Sequence, residues 1–187
     1  MASINRRKAI GVAGDERLVG LVTSRDPDLE TPEPKALYEV GTVAIVHRLF
    51  RAPDGTIRLL VQGMSRFRLG EFVQTEPYLK ANIHLIPETV EPGLENEALA
   101  RNARSQFEHI AEMIPSIPRE LVGSVTALED PLQTVYTIGN FQRMEQKDAQ
   151  TLLELDSASA KLHKLVAILP DFKYFYFASQ NCDQLVQ

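Results

Sequence analysis

Residues Leu37 to Gln74, LYEVGTVAIVHRLFRAPDGTIRLLVQGMSRFRLGEFVQ, decide the fold. Gly41 to Arg51 is dense in β-branched and apolar side chains, namely Val43, Ala44, Ile45, Val46, Leu49 and Phe50. They fall on both faces of an extended chain, the pattern expected of a strand closed into a small barrel or sandwich. The return strand alternates, with Ile57, Leu59 and Val61 on one face and Arg58 and Gln62 on the other. Ala52-Pro53-Asp54-Gly55 reads as the turn between them. Proline presets φ at the first turn position, and Gly55 can take the positive φ that closes the turn. A third strand is expected from Arg66 to Gln74, with Gly63 and Gly70 as candidate bulges or bends.

Upstream, Asn5 to Ala13 reads as a short helix, with Asn5 as N-cap and Gly14 as its stop. Leu18 to Thr23 reads as a strand. Arg25 to Pro34 carries Pro27, Pro32 and Pro34 among four acidic side chains and reads as a solvated loop. Downstream, Leu79 to Ile86 alternates, which predicts Leu79, Ala81, Ile83 and Leu85 inward and Lys80, Asn82 and His84 outward. Pro87 to Gly93 is a linker, after which composition turns helical. Leu99, Ala103, Phe107, Ile110 and Ile114 form one buried stripe of a helix from Leu94 to Ile114. Pro118 opens a second helix, with Leu121, Val122 and Val125 inward, and Asp130-Pro131 caps and opens a third, ending near Gly139. A fourth runs from Glu145 to Leu155. A fifth runs from Ser157 to Leu169, its apolar face Leu162, Leu165, Val166 and Leu169, and Pro170 is expected to stop it.

The sum is an α+β chain: a β-rich half over residues 1–88, a helical bundle over 89–170 and a tail over 171–187. The aromatic stretch Asp171 to Ala178 is a strand candidate. At 187 residues, 44% hydrophobic and 24% charged, the composition is that of a globular protein. Net charge −5 argues against a nucleic-acid binder, although Arg48, Arg51, Arg58, Arg66 and Arg68 cluster on the strands. No apolar run has the length of a membrane span, no secretory h-region follows Met1, and Cys182 is the single cysteine. A cytoplasmic protein without a membrane partner is the expectation.

Several of these residues carry a family resemblance. Leu37-Tyr38-Glu39-Val40-Gly41-Thr42-Val43-Ala44, the Pro53-Asp54-Gly55-Thr56 turn, Val61-Gln62-Gly63 and Arg66-Phe67 resemble the amino-terminal domain of the Lon proteases. The Asp130-Pro131 start, Glu145-Gln146-Lys147, Leu152-Leu153-Glu154 and Asp156 resemble its helical half, so the likeness runs over roughly Arg6 to Leu169. The resemblance implies a PUA-like β pseudo-barrel followed by a carboxy-terminal helical bundle, engaging unfolded or degron-bearing polypeptides. The family opens with a strand for which this chain shows no residues. That implies an unpaired edge and a possible homodimer through strand exchange with the aromatic tail.

Chemistry is sparse by comparison. No glycine-rich phosphate loop is present, and the serine and lysine of the Lon peptidase have no counterpart. His47, His84, His109 and His163 have no metal-ligand spacing, so neither a catalytic group, a metal site nor a cofactor is expected. Carboxylate pairs such as Glu95/Glu97 sit at helix starts, where they complement the macrodipole. The candidate substrate-binding residues are apolar: Leu49, Phe50, Phe72 and Tyr78, on a second apolar face of the strands. A nucleic-acid-binding PUA-like protein is the alternative.

Overall fold

The computed structural model describes residues 7–11, 17–29, 31–53, 55–114, 117–141 and 144–170. The chain divides into two compact units, Met1–Pro87 and Glu88–Gln187. The expected Asp171–Ala178 strand lies outside the described residues.

The first unit is one antiparallel sheet of five strands in sequence order: β1 (Arg7–Gly11), β2 (Leu18–Thr23), β3 (Val40–Arg51), β4 (Ile57–Gln74) and β5 (Lys80–Ile86). It curls until the backbone of β1 approaches β5. The expected helix over Asn5 to Ala13 is corrected: Arg7 to Gly11 is a strand, paired with β2 from Arg7↔Thr23 to Gly11↔Val19. So few residues make a marginal helix, whereas lying along β2 satisfies the backbone groups of both strands. The unpaired edge expected beside β2 is therefore filled by β1.

The hairpin turn closes as its residues dictate. Gly55 N–H donates to the Ala52 carbonyl at 2.9 Å, and Gly55 has φ +82°. The return strand and the expected third strand are one continuous element, β4. Gly63 borders a register shift, with Ala44 opposite Gly63 but Val43 opposite Ser65. Gly70 lies within a second shift, between Leu69 and Phe72. Bulges of this kind let a long strand bend across a curled sheet.

The sheet core is Val22, Leu37, Val43, Phe67 and Leu79, with Leu18, Leu69, Phe72, Ala81 and Ile83 packed against it. Gly41 lies beneath the Phe67 ring. A Cβ there would fall 2.5 Å from the Leu21 carbonyl oxygen and 2.8 Å from that ring, so the close approach requires glycine. Leu85, expected inward, is exposed at the far end of β5. The loop after β2 is mostly exposed, but Ser24 Oγ donates to the Asp26 carbonyl at 2.7 Å and Arg25 Nε to that of Leu37 at 3.2 Å.

The second unit holds α1 (Leu94–Glu112), α2 (Arg119–Thr126), α3 (Pro131–Phe141) and α4 (Gln146–Glu154). A fifth helix, α5, covers residues 158–170 and includes Pro170, where a stop was expected. Asp130 caps α3: its Oδ1 accepts from Leu132 N–H at 2.7 Å and Gln133 N–H at 3.3 Å. Ser157 Oγ accepts from Ala160 N–H and caps α5 in the same way. The core gathers Ala103, Phe107, Ile110, Ile114, Val125, Val135, Ile138, Leu162, Leu165 and Leu169. The seam of α1 runs through Ala100, with Leu99 on its flank. On α2 only Val125 is fully buried, and the expected Leu121 and Val122 are half-buried.

One charge enters this core. Lys161 is 0% exposed, and its Nζ donates to the carbonyls of Leu152 at 2.6 Å and Leu153 at 3.2 Å, with Glu88 Oε1 at 3.1 Å. Those carbonyls end α4, where the helix dipole favours a cation. The Tyr136 hydroxyl donates to the same Glu88 oxygen, and Lys161 Nζ lies 5.2 Å from the Tyr136 ring centre. The start of the unit is thus fastened to α3, α4 and α5. Thr89 completes the fastening, accepting from Ala158 N–H and donating to the Asp156 carbonyl.

Candidate functional site

The site grows from the way β3 and β4 outrun their neighbours. Partners of β2 on β3 end at Ile45, and partners of β5 on β4 begin at Arg66. Val46 N–H still reaches the Arg17 carbonyl at 2.7 Å. Beyond it, among the described residues, the two strands have only each other. They form a two-stranded arm over residues 47–60, ending in the Gly55 turn. At its base a ring nitrogen of His47 lies 2.8 Å from Gln62 Oε1, beside the register shift between Val46 and Arg48.

Pairing fixes what each face of the arm carries, because directly opposed residues share a side. Leu49 opposes Leu59 and Arg51 opposes Ile57, with Val46 opposite Val61 at the base. That face is almost wholly aliphatic. On the other face Arg48 opposes Leu60 and Phe50 opposes Arg58, a chequerboard of cations and apolar groups. Leu49 is 61% exposed and Phe50 47%, and Ile57, Leu60 and Met64 are exposed to a similar degree. Neither face is covered within the described residues. Apolar side chains on both faces of β3 thus have two different causes. Near Val43 and Ala44 they are buried, whereas beyond Val46 they stand in solvent.

The four residues singled out from sequence do not converge. Leu49 and Phe50 are both on the arm but on opposite faces of it. Phe72 and Tyr78 belong to the opposite end of β4. Phe72 is half-buried against the sheet core, and Tyr78 is exposed near the β4–β5 turn with Lys80 Nζ 5.1 Å from its ring centre. Sequence reading missed Ile57, Leu60 and Met64. Only Ile57 had a signal, in the alternation of the return strand, which marked a face without saying whether anything covers it. Leu60 and Met64 alternate with Arg58 and Gln62, on the face that reads as polar.

The arginine cluster also separates. Arg66 is buried and donates to the Pro87 carbonyl at 3.1 Å, and Arg68 pairs with Glu39 at 3.4 Å. Arg48, Arg51 and Arg58 remain exposed on the arm. The histidines lie on separate elements: His109 is 3.7 Å from Glu112 and His163 3.3 Å from Glu95. Among the described residues no group of three His, Cys, Asp or Glu side chains could hold a metal ion. An open cleft of about 440 Å³ beside α1 and α2 is lined by Arg101 and Arg104 but equally by Glu97 and Glu129, so its charges cancel.

A curled sheet with a projecting apolar arm, followed in the chain by a helical bundle, defines an α+β protein whose distinctive exposed surface is apolar. The family model of the ATP-dependent protease La (LON) substrate-binding domain matches residues 1–171, and the chain belongs to that family. The Lon protease of Dictyoglomus thermophilum is 34% identical over 170 residues, 89% of this chain and 21% of that protein. Lon protease 1 of Herpetosiphon aurantiacus is 37% identical over 159 residues, 82% of this chain and 19% of the relative. The chain thus spans about a fifth of the length of these curated relatives. The N-terminal domain of Mycobacterium avium complex Lon protease has the same fold, with TM-score 0.65 at 18% identity, covering 88% of this chain and 94% of that one. Among the described residues no helix is long and apolar enough to cross a membrane.

Proposed function

We propose that this chain recognises unfolded or degron-bearing polypeptide as the substrate-binding module of a Lon-type protease, and that it does so through the arm. The observation that carries this reading is the exposure of apolar side chains on both faces of one ribbon, residues 47–60; Val73, Tyr78 and Leu85 are also exposed in this unit but lie outside the arm. Contiguous exposed apolar surface of this kind marks an interaction site. Leu49 and Ile57 serve one face and Phe50 and Leu60 the other. Tyr78 offers a separate exposed aromatic, while Phe72 mainly completes the sheet core. The module performs no catalysis of its own, requires no cofactor and resides in the cytoplasm. ATP hydrolysis and peptide cleavage are the work of other parts of such a protease, consistent with a match confined to the substrate-binding domain. The edge that motivates a strand-exchange homodimer passes from β2 to β1, the terminal strand of the sheet.

Binding is weak at each contact, since a disordered segment loses conformational freedom when it docks. Fluorescence anisotropy with a reduced, carbamidomethylated test protein measures it. Phe50→Ala and Leu49→Ser/Ile57→Ser are each expected to weaken binding roughly tenfold, from the apolar area they remove. Unaltered affinity in both variants would rule out the arm as the binding surface.

A further inference from the structure

Taking polypeptide recognition by the arm as the starting point, we infer that the arm selects extended apolar segments that carry acidic residues over neutral or basic ones. The stretch 46–62 holds Arg48, Arg51 and Arg58 against one carboxylate, Asp54, in a chain whose net charge is −5. The cationic character is therefore local to the arm. Among the described residues these three arginines make no salt bridge, in contrast to Arg68 with Glu39 and Lys164 with Asp148.

Their placement matters as much as their number. Arg48 sits opposite Leu60 and Phe50 opposite Arg58, so each cation on that face has an apolar neighbour both across and along the ribbon. The two guanidinium groups start from diagonal positions roughly 7–8 Å apart. Residues on one side of an extended peptide recur at a similar interval, about 7 Å. A peptide with carboxylates on alternate residues therefore meets both arginines while its apolar neighbours reach Phe50 and Leu60. Guanidinium groups suit this role because they pair bidentately with carboxylates and are weakly hydrated beside apolar surface. A nucleic acid suits the face less well: stacking needs a series of aromatic platforms, and Phe50 is the one Phe, Tyr or Trp on the arm.

The test uses the full chain and three labelled peptides that share one alternating apolar core and carry interspersed Glu, Ser or Lys. Anisotropy at low salt is expected to rank them Glu, Ser, Lys, with the Glu peptide about fivefold tighter than the Ser peptide, as two exposed ion pairs allow. The ranking should collapse in 0.5 M salt, at roughly half the usual Debye length. It should also collapse in Arg48→Ser/Arg58→Ser, while Arg68→Ser, whose arginine is already paired, retains it. Equal affinities for all three peptides would overturn the charge preference and leave polypeptide recognition standing. Failure of every peptide to bind would overturn both. Displacement of the Glu peptide by an equal concentration of a single-stranded oligonucleotide would show that the arginines serve phosphate, and would overturn the inference as well.

Discussion

Leu165 and Leu49 are both leucines on regular elements, and they meet opposite fates. Leu165, on α5, is sealed among Phe107, Ile138 and Leu162, whereas Leu49, on β3, stands in solvent above Leu59. Burying a leucine contributes about 1.5–3 kcal/mol, so the bundle collects a stabilisation that the arm forgoes at each of its exposed positions. The bundle even places Lys161 in its core, with its ammonium on two carbonyls and Glu88. An isolated hairpin in water is marginal. The arm persists because its strands continue into the five-stranded sheet and because Gly55 closes its turn. On the function proposed above, stability and recognition reside in different parts of this chain, and substitutions can separate them.

The bundle gives the largest expected effect. Phe107→Ala removes a ring from the centre of the helical core and should cost about 3–5 kcal/mol, read as a drop in the denaturant midpoint of that unit. Lys161→Ala leaves Glu88 without its ammonium partner. Breaking a buried pair costs about 3–5 kcal/mol, and the 20% exposure of the Glu88 side chain lowers the expectation to about 2–3. Gly41→Ala forces a methyl against the Leu21 carbonyl and the Phe67 ring, and about 1–3 kcal/mol of sheet stability should be lost. The smallest effect is the most informative: Phe50→Ala and Leu60→Ser should each change stability by less than about 0.5 kcal/mol. A loss at Phe50 as large as that at Phe107 would erase the distinction between the two regions.

Much of this contrast was legible in the residues, and the remainder depended on contacts remote in sequence. The turn at Gly55 and the seam of α1 follow from local chemistry and period. The strand β1 did not, because Asn5 and Gly14 supply plausible helix caps while the deciding fact is its register against Val19 to Thr23. Lys161 sits beside Leu162 on an amphipathic helix, and nothing near it in sequence announces Glu88 or the end of α4. Apolar residues on both faces of β3 give the expectation of a small barrel or sandwich, which holds near Val43 and Ala44 but not beyond Val46. Periodicity cannot distinguish a strand covered on both sides from one covered on neither, since both give the same pattern. For that reason the sequence groups Phe50, which is exposed, with Phe72, which packs half-buried against the sheet core.

The central claim, that the arm is where polypeptide docks, is tested most directly by amide hydrogen exchange on the full chain with and without the carbamidomethylated test protein. Protection on addition of the unfolded protein should concentrate in peptides covering residues 46–62 and leave α1 to α5 unchanged. Protection that appears on the bundle, with the arm exchanging as fast as before, would contradict the account.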